Sequence, residues 1–182
     1  MSEIIDIGFI RQLQEQLNSQ LMFEMSQELK TGVSFQCEEV KSMSKDDLKH
    51  HLNNGKKFNA IQCKCGHNQS FKLVVSDSVS KGFEKLFLGL PMDQNINGES
   101  GTYVEEFMAA RIARKNYEFW KTQKNKINLL DPIFVWGQLI VTSNESIVCQ
   151  VKMNVESTAL GDLFLVYPVV FFNESEFKQN EV

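Results

Sequence analysis

The sequence predicts an α/β chain of the α+β kind, with a helix layer packed on a mostly antiparallel sheet. Three observations carry this. Phe9, Leu13, Leu17, Leu21, Met25 and Leu29 recur every four residues, as one winding apolar face of a helix does. A second long helical segment opens near Thr102. Each long helix is followed by segments whose apolar residues alternate with polar ones, the period of a half-buried strand.

The first helix is expected from about Phe9 to Lys30, with Thr31-Gly32 stopping it and glycine suited to the left-handed position past its end. Val33, Phe35 and Cys37 then alternate with Ser34, Gln36 and Glu38 as a strand. Ser44 caps a short helix reaching about Leu52, with Asp46 and Asp47 in its first turn. Strands near Phe58–Cys65 and Phe71–Val75 flank Gly66-His67-Asn68-Gln69, which reads as a hairpin turn. Asp77 or Ser78 starts a helix that runs to about Leu88.

The stretch from Asp93 to Gly101 is polar and glycine-containing, a surface loop between two similar halves. The second long helix, about Thr102 to Lys124, carries Val104, Phe107, Met108, Ile112 and Phe119 on its apolar side. Asp131-Pro132 breaks the chain. Ile147 to Val155 gives the clearest alternating strand, and a final strand covers Leu163 to Tyr167. The expectation is one domain over 1–172, with a polar tail at 173–182.

Composition narrows the function. With 19 basic and 23 acidic residues the net charge is −4, which disfavours non-specific nucleic-acid binding. The acidic start Met1-Ser2-Glu3 is unlike a secretory signal. The ten-residue apolar run from Leu163 to Phe172 is half of the about 20 residues a membrane helix needs. Four cysteines in 182 residues are no disulfide framework, so a reducing, cytoplasmic location is expected, without membrane insertion.

Several segments, in order, resemble a known family. Phe9 to Leu29 followed by Val33-Ser34-Phe35 resembles the opening helix and strand of the middle domain of the flagellar motor switch protein FliM. Phe83 to Gly89 is similar to the helix end that leads into that family's glycine loop. Gly137 to Glu145, the strand to Val155 and Gly161 to Pro168 are similar to its closing segments. The resemblance spans roughly 9–172 and implies a pseudo-twofold fold shared with CheC, CheX and FliY. It also implies a stand-alone middle domain, because eight residues precede the first helix and the chain stops before a FliN-type domain would fit.

The resemblance implies a partner-docking loop at Phe87, Gly89, Leu90 and Asp93, where the family's FliG contact has two adjacent glycines and this chain keeps one. Glu15 and Asn18 have the Glu-x-x-Asn spacing of the phosphatase motif in CheC-like relatives. The apolar stripe puts both off the buried side. In that alternative, Asn18 orients the attacking water and Glu15 holds a phosphorylated CheY-like partner. The second helix offers Glu105 and Glu106, but Met108 and Ala109 stand three positions on.

Arg111, Arg114 and Lys115, continued by Lys121, Lys124 and Lys126, form a basic stretch that could meet an acidic protein surface or a neighbouring subunit. Cys63-Lys64-Cys65-Gly66-His67 lacks the second close pair of a structural zinc site, and small buried thiols are the expectation, with no metal and no cofactor. His50-His51 has no glutamate at a metalloprotease spacing.

The first expectation is therefore a non-enzymatic protein-interaction module of a flagellar motor switch, chemotaxis or related secretion assembly. Its partners would be FliG-like or CheY-like proteins, other rotor or secretion subunits, or another copy of itself. Its place would be cytoplasmic, up to the cytoplasmic face of a membrane-anchored motor or secretion complex. The alternative is the CheC/CheX-like phosphatase. A third is a redox or metal role for Cys63 and Cys65.

Overall fold

The computed structural model describes residues 5–52, 58–65, 70–95, 103–123, 132–137 and 141–172. Asp6 begins the first helix, its side chain accepting from the Phe9 N–H at 3.1 Å. That helix, α1 (Ile7–Leu29), buries Leu13, Leu17, Leu21 and Met25 as the four-residue spacing requires. Each such leucine contributes about 1.5–3 kcal/mol relative to exposure. Phe9, at the head of the stripe, is exposed, because the drifting spacing carries it off the buried face.

Lys30, not Gly32, takes the left-handed turn that ends α1. Gly32 is already committed to the sheet: its carbonyl accepts from the Glu156 N–H at 2.8 Å. The next residue, Val33, exchanges hydrogen bonds with the Ser26 hydroxyl at 3.0 and 3.1 Å.

β1 (Val33–Ser44) is longer than the alternation to Cys37 suggests. A bulge between Cys37 and Glu39 inserts one extra residue, so that Val40 resumes the face that Cys37 leaves. The simple period stops there, although the strand does not. The Ser44 hydroxyl then accepts from the Asp47 N–H at 3.1 Å and starts α2 (Lys45–Leu52), as expected.

β2 (Phe58–Lys64) and β3 (Ser70–Ser76) pair antiparallel, and the expected turn at 66–69 lies outside the described residues. α3 (Asp77–Leu88) comes directly after β3. α4 (Tyr103–Gln123) buries Met108, Ala109, Ile112, Ala113, Tyr117, Phe119 and Trp120. Phe107 is off that face and 45% exposed, contrary to its place in the expected stripe. β4 (Ile133–Gly137), β5 (Glu145–Val155) and β6 (Thr158–Pro168) complete the sheet.

A two-residue turn joins β5 to β6, with Glu156 and Ser157 both left-handed. Two left-handed residues in succession are the signature of a type I′ hairpin, which usually recruits Asn or Gly. Here Glu156 is held by Gly32 and by Thr31, whose hydroxyl donates to its carboxylate at 2.7 Å. The apolar run from Leu163 is a strand only to Pro168, after which Val169–Phe172 turn as a 3₁₀ helix and bury Phe171 and Phe172.

The described residues form a six-stranded sheet in the order β1-β5-β6-β3-β2-β4, and every pairing among them is antiparallel. The order reads the same from either edge when β1, β2 and β3 are exchanged for β4, β5 and β6. This is the twofold arrangement the resemblance implies. Each half's first strand pairs with the second strand of the other half.

The sheet is covered on both faces. α1, α3 and α4 pack on one, where Ile61, Leu73, Cys149 and Leu165 point. α2 packs on the other, setting Leu48 and Leu52 against Val74, Val148, Phe164 and Val166. The helix layer expected from sequence is thus three helices, with the short one across the sheet.

At the α3–β6 contact, Gly161 sits at φ +149, and a Cβ there would come within 2.3 Å of Ser78 Oγ and 2.8 Å of Ser76 Oγ. Gly82 faces Leu160 as closely, at 2.7 Å. Gly161→Ala should therefore cost at least about 2 kcal/mol in urea unfolding. Gly32→Ala, with nothing within 4 Å of its Cβ, should be neutral or slightly stabilising.

Candidate functional site

The ends of α3 and α4 bring apolar side chains to the surface. Phe87 and Leu88 close α3 and are 56% and 55% exposed. Tyr103 and Phe107 stand four apart at the start of α4, which puts them on one helix face, and Tyr103 is 87% exposed. The Phe87 and Phe107 rings meet edge to face with centroids 6.4 Å apart, joining the two helix ends into one patch. Arg111 sits over Phe107, 5.5 Å from its centroid, and gives the patch a cationic border.

The loop beyond Phe87 is built, not slack. Gly89 takes the left-handed position that ends α3, and its N–H donates to the Leu86 carbonyl. The Leu90 N–H donates to the Lys85 carbonyl at 2.8 Å. Lys85 Nζ donates to the Met92 carbonyl at 2.6 Å, and the Gln94 N–H to the Pro91 carbonyl at 3.1 Å. Gly89 and Asp93 are exposed and Leu90 is half-buried. Gly89 thus has a capping role of its own, and of the loop residues expected from sequence Phe87 offers the ring surface.

The basic residues divide into two groups. Arg111 pairs with Glu28, and Lys115 pairs with Glu24 at 2.9 Å and with Glu118 at 3.2 Å. From sequence alone, only Glu118 faces this stretch. The further acids come from α1, which runs antiparallel beside α4. The hydrogen bond to Glu24, with Glu118 beside it, holds the Lys115 ammonium above its ordinary pKa. Arg114 faces another way, 5.4 Å over the Phe134 ring, with no acidic partner among the described residues. Lys124 and Lys126 lie outside the described residues.

Glu15 and Asn18 are not on one exposed face. Glu15 is exposed and pairs with Arg11 at 3.2 Å. Asn18 is buried, only 3% exposed, and its Oδ1 accepts from Gln14 Nε2 at 2.9 Å. The apolar stripe misplaced it: Asn18 and Gln14, one turn apart, both turn to the inner face and bond to each other there, while Asn18 Nδ2 and Gln14 Oε1 have no partner among the described residues. Residues three apart on a helix also diverge by about a sixth of a turn, enough to part a boundary residue from a buried one.

Asn116 follows Lys115 on α4 as Asn18 follows Leu17 on α1, and it too is buried. It accepts from the Tyr167 hydroxyl at 3.0 Å, and Tyr167 accepts from Trp120 Nε1 at 3.0 Å. This polar chain inside the core was missed from sequence, since Tyr167, which links Asn116 and Trp120, lies 51 and 47 residues beyond them. Glu105 is buried and Glu106 exposed.

Cys63 and Cys65 lie on the helix side of the sheet, their sulfurs 3.6 Å apart and both buried. Among the described residues no group of three or more His, Cys, Asp and Glu could hold a metal ion, and His67 is outside them. The thiol contact with Cys65, then burial, raises the Cys63 pKa. Burial raises those of Cys37 and Cys149. No helix among the described residues is long and apolar enough to cross a membrane.

No family model matches the chain, and no curated protein matches it. Solved structures do. The crystal structure of the FliM middle domain from H. pylori is similar at 15% identity and a TM-score of 0.70, over 90% of this chain and 92% of that one. FliY from Thermotoga maritima is similar at 10% identity and a TM-score of 0.70, over 94% of both chains. A chain of the FliG–FliM complex from H. pylori is similar at 16% identity and a TM-score of 0.68, over 88% of this chain and 91% of that one. At these identities the likeness is one of fold, and it is the fold the sequence resemblance implied.

Asn18→Ala should destabilise the protein by about 1–3 kcal/mol, since it strands Gln14 Nε2 in the core, while Glu15→Ala should cost less than about 1 kcal/mol; urea unfolding separates them. A second outcome concerns pH. The folded state holds the Cys37, Cys63 and Cys149 protons after the unfolded chain has released its own near pH 8.5. Their contribution is therefore whole below that pH and is lost progressively as the pH rises above it. The urea midpoint should drop clearly between pH 7 and pH 10.

Proposed function

We propose that this chain is a non-enzymatic protein-interaction module of a flagellar motor switch, chemotaxis or related secretion assembly, and that it docks a FliG-like partner on the patch at the ends of α3 and α4. The observation that carries this reading is the joined exposed surface of Phe87, Leu88, Tyr103 and Phe107. Large aromatic side chains left in water at a fixed position are the usual anchors of a protein interface. The hydrogen-bonded loop from Gly89 to Gln94 beside them lowers the ordering cost of binding. The fold shared with a chain of the FliG–FliM complex supports the choice of partner class. This role sets the protein in the cytoplasm, at the inner face of a membrane-anchored machine.

The geometry gives less support to an aspartyl-phosphate phosphatase. That chemistry needs a carboxamide aimed at the partner's phosphate, and Asn18 is turned inward toward Gln14. Phosphate release from a phosphorylated CheY-like receiver should stay at the spontaneous rate with wild type and with Asn18→Ala alike.

Titration against purified FliG from the same organism is the direct test. Wild type should bind. Phe87→Asp combined with Phe107→Asp should weaken binding by about tenfold or more with an unchanged circular dichroism spectrum. Retained affinity in the double variant would remove the patch from the account. A pull-down that recovers no motor, chemotaxis or secretion component would remove the assembly itself.

A further inference from the structure

The two edges of the sheet are built differently. β1 forms one edge and carries a bulge at Cys37/Glu39 and the charges of Glu38, Glu39 and Lys41. Lys152 reaches Glu38 at 3.7 Å, and Lys41 reaches Glu39 at 2.6 Å. Bulges and charges are what keep an edge strand from pairing with another chain. β4 forms the opposite edge and has neither. Its five residues, Ile133 to Gly137, are uncharged and pair with β2 in unbroken register from Ala60↔Gly137 to Lys64↔Ile133. Among the described residues nothing pairs with its outer side.

The side chains of β4 are unusually bare. Ile133 and Val135 are 63% and 44% exposed on the α2 side of the sheet. Phe134 and Trp136 are half-buried on the helix side. Positive charge flanks both faces. The Arg114 guanidinium lies over Phe134 on the helix side, and Lys64 stands beside Ile133 on the other. Neither has an acidic partner among the described residues, in a chain whose net charge is −4.

We propose that the free edge of β4 receives an extended acidic segment of a partner protein as an additional strand. Backbone hydrogen bonds to β4 would supply affinity. Alternate apolar residues of the incoming segment would cover Ile133 and Val135. Carboxylates alternating with them would meet Arg114 on the helix side, with the Lys64 cation adding to the positive field from the other face. A second copy of this chain fits less well. Antiparallel pairing of β4 with itself gathers the Arg114 and Lys64 cations of both copies at one seam, and like charges across strands repel. The site uses none of the α3–α4 patch residues, so it stands or falls independently of FliG-like docking.

The test uses the full chain and two labelled decapeptides, one alternating valine with glutamate and one alternating valine with lysine. Fluorescence anisotropy should show the acidic peptide binding at least about tenfold more tightly than the basic one. Amide hydrogen exchange in 133–137 should slow when the acidic peptide is present. Arg114→Glu with Lys64→Glu should invert the preference, and Arg114→Gln alone should weaken the acidic peptide, which keeps the test decisive if the double variant fails to fold. Equal binding of the two peptides, no binding, or unchanged exchange over 133–137 would overturn the proposal. So would a concentration-dependent dimer, in sedimentation, that protects the same amides without peptide.

Discussion

The exchange of first strands between the two halves is the constraint on which the rest of the structure depends. β1 hydrogen-bonds to β5, and β4 hydrogen-bonds to β2, so neither half completes its own sheet. The central β3–β6 pair joins the halves again. A helix can bury its apolar face only against a sheet that exists. α1 packs on β1, whose only strand neighbour among the described residues is β5, so the face α1 needs is present only once the second half has arrived. The two halves are therefore one cooperative unit, although each has the same plan of a long helix followed by three strands. The long range of these pairings also implies slow folding for a chain of this length.

Much of that plan was legible in the residues. The four-residue spacing of Leu13, Leu17, Leu21 and Met25 gave α1, and the alternation from Ile147 to Val155 gave β5. What resisted reading has physical causes. The bulge at Cys37/Glu39 breaks the period of β1, so the strand looks half its length. Glu156 and Ser157 make a tight hairpin without the usual residues, with contacts from Thr31 and Gly32 holding Glu156 there. β4 is short and apolar on both sides, a pattern that period alone cannot assign.

The site was legible in part. Phe87 and the loop after it came from ordered resemblance, and the structure adds Tyr103 and Phe107, which no local spacing ties to Phe87. Asn18 shows the opposite failure. A helix stripe sorts residues by polarity, whereas Asn18 is buried beside Gln14, which bonds its Oδ1 and leaves its Nδ2 without a partner among the described residues. The acids facing Arg111 and Lys115 were invisible for a related reason: they are distant in the chain and come alongside only when α1 and α4 lie antiparallel.

Those acids have one more consequence. On its outer side, the seam between α1 and α4 is closed by Glu28 with Arg111 and Glu24 with Lys115, all of them reached by water. Dissolved ions weaken such pairs once the Debye length falls to a few ångströms, and they leave the oily underside of the helices alone. The molecule thus carries a zip responsive to the ionic medium across its waist, above a floor that is indifferent to it. At about molar salt these closures would be screened while the buried faces of the helices still hold the fold.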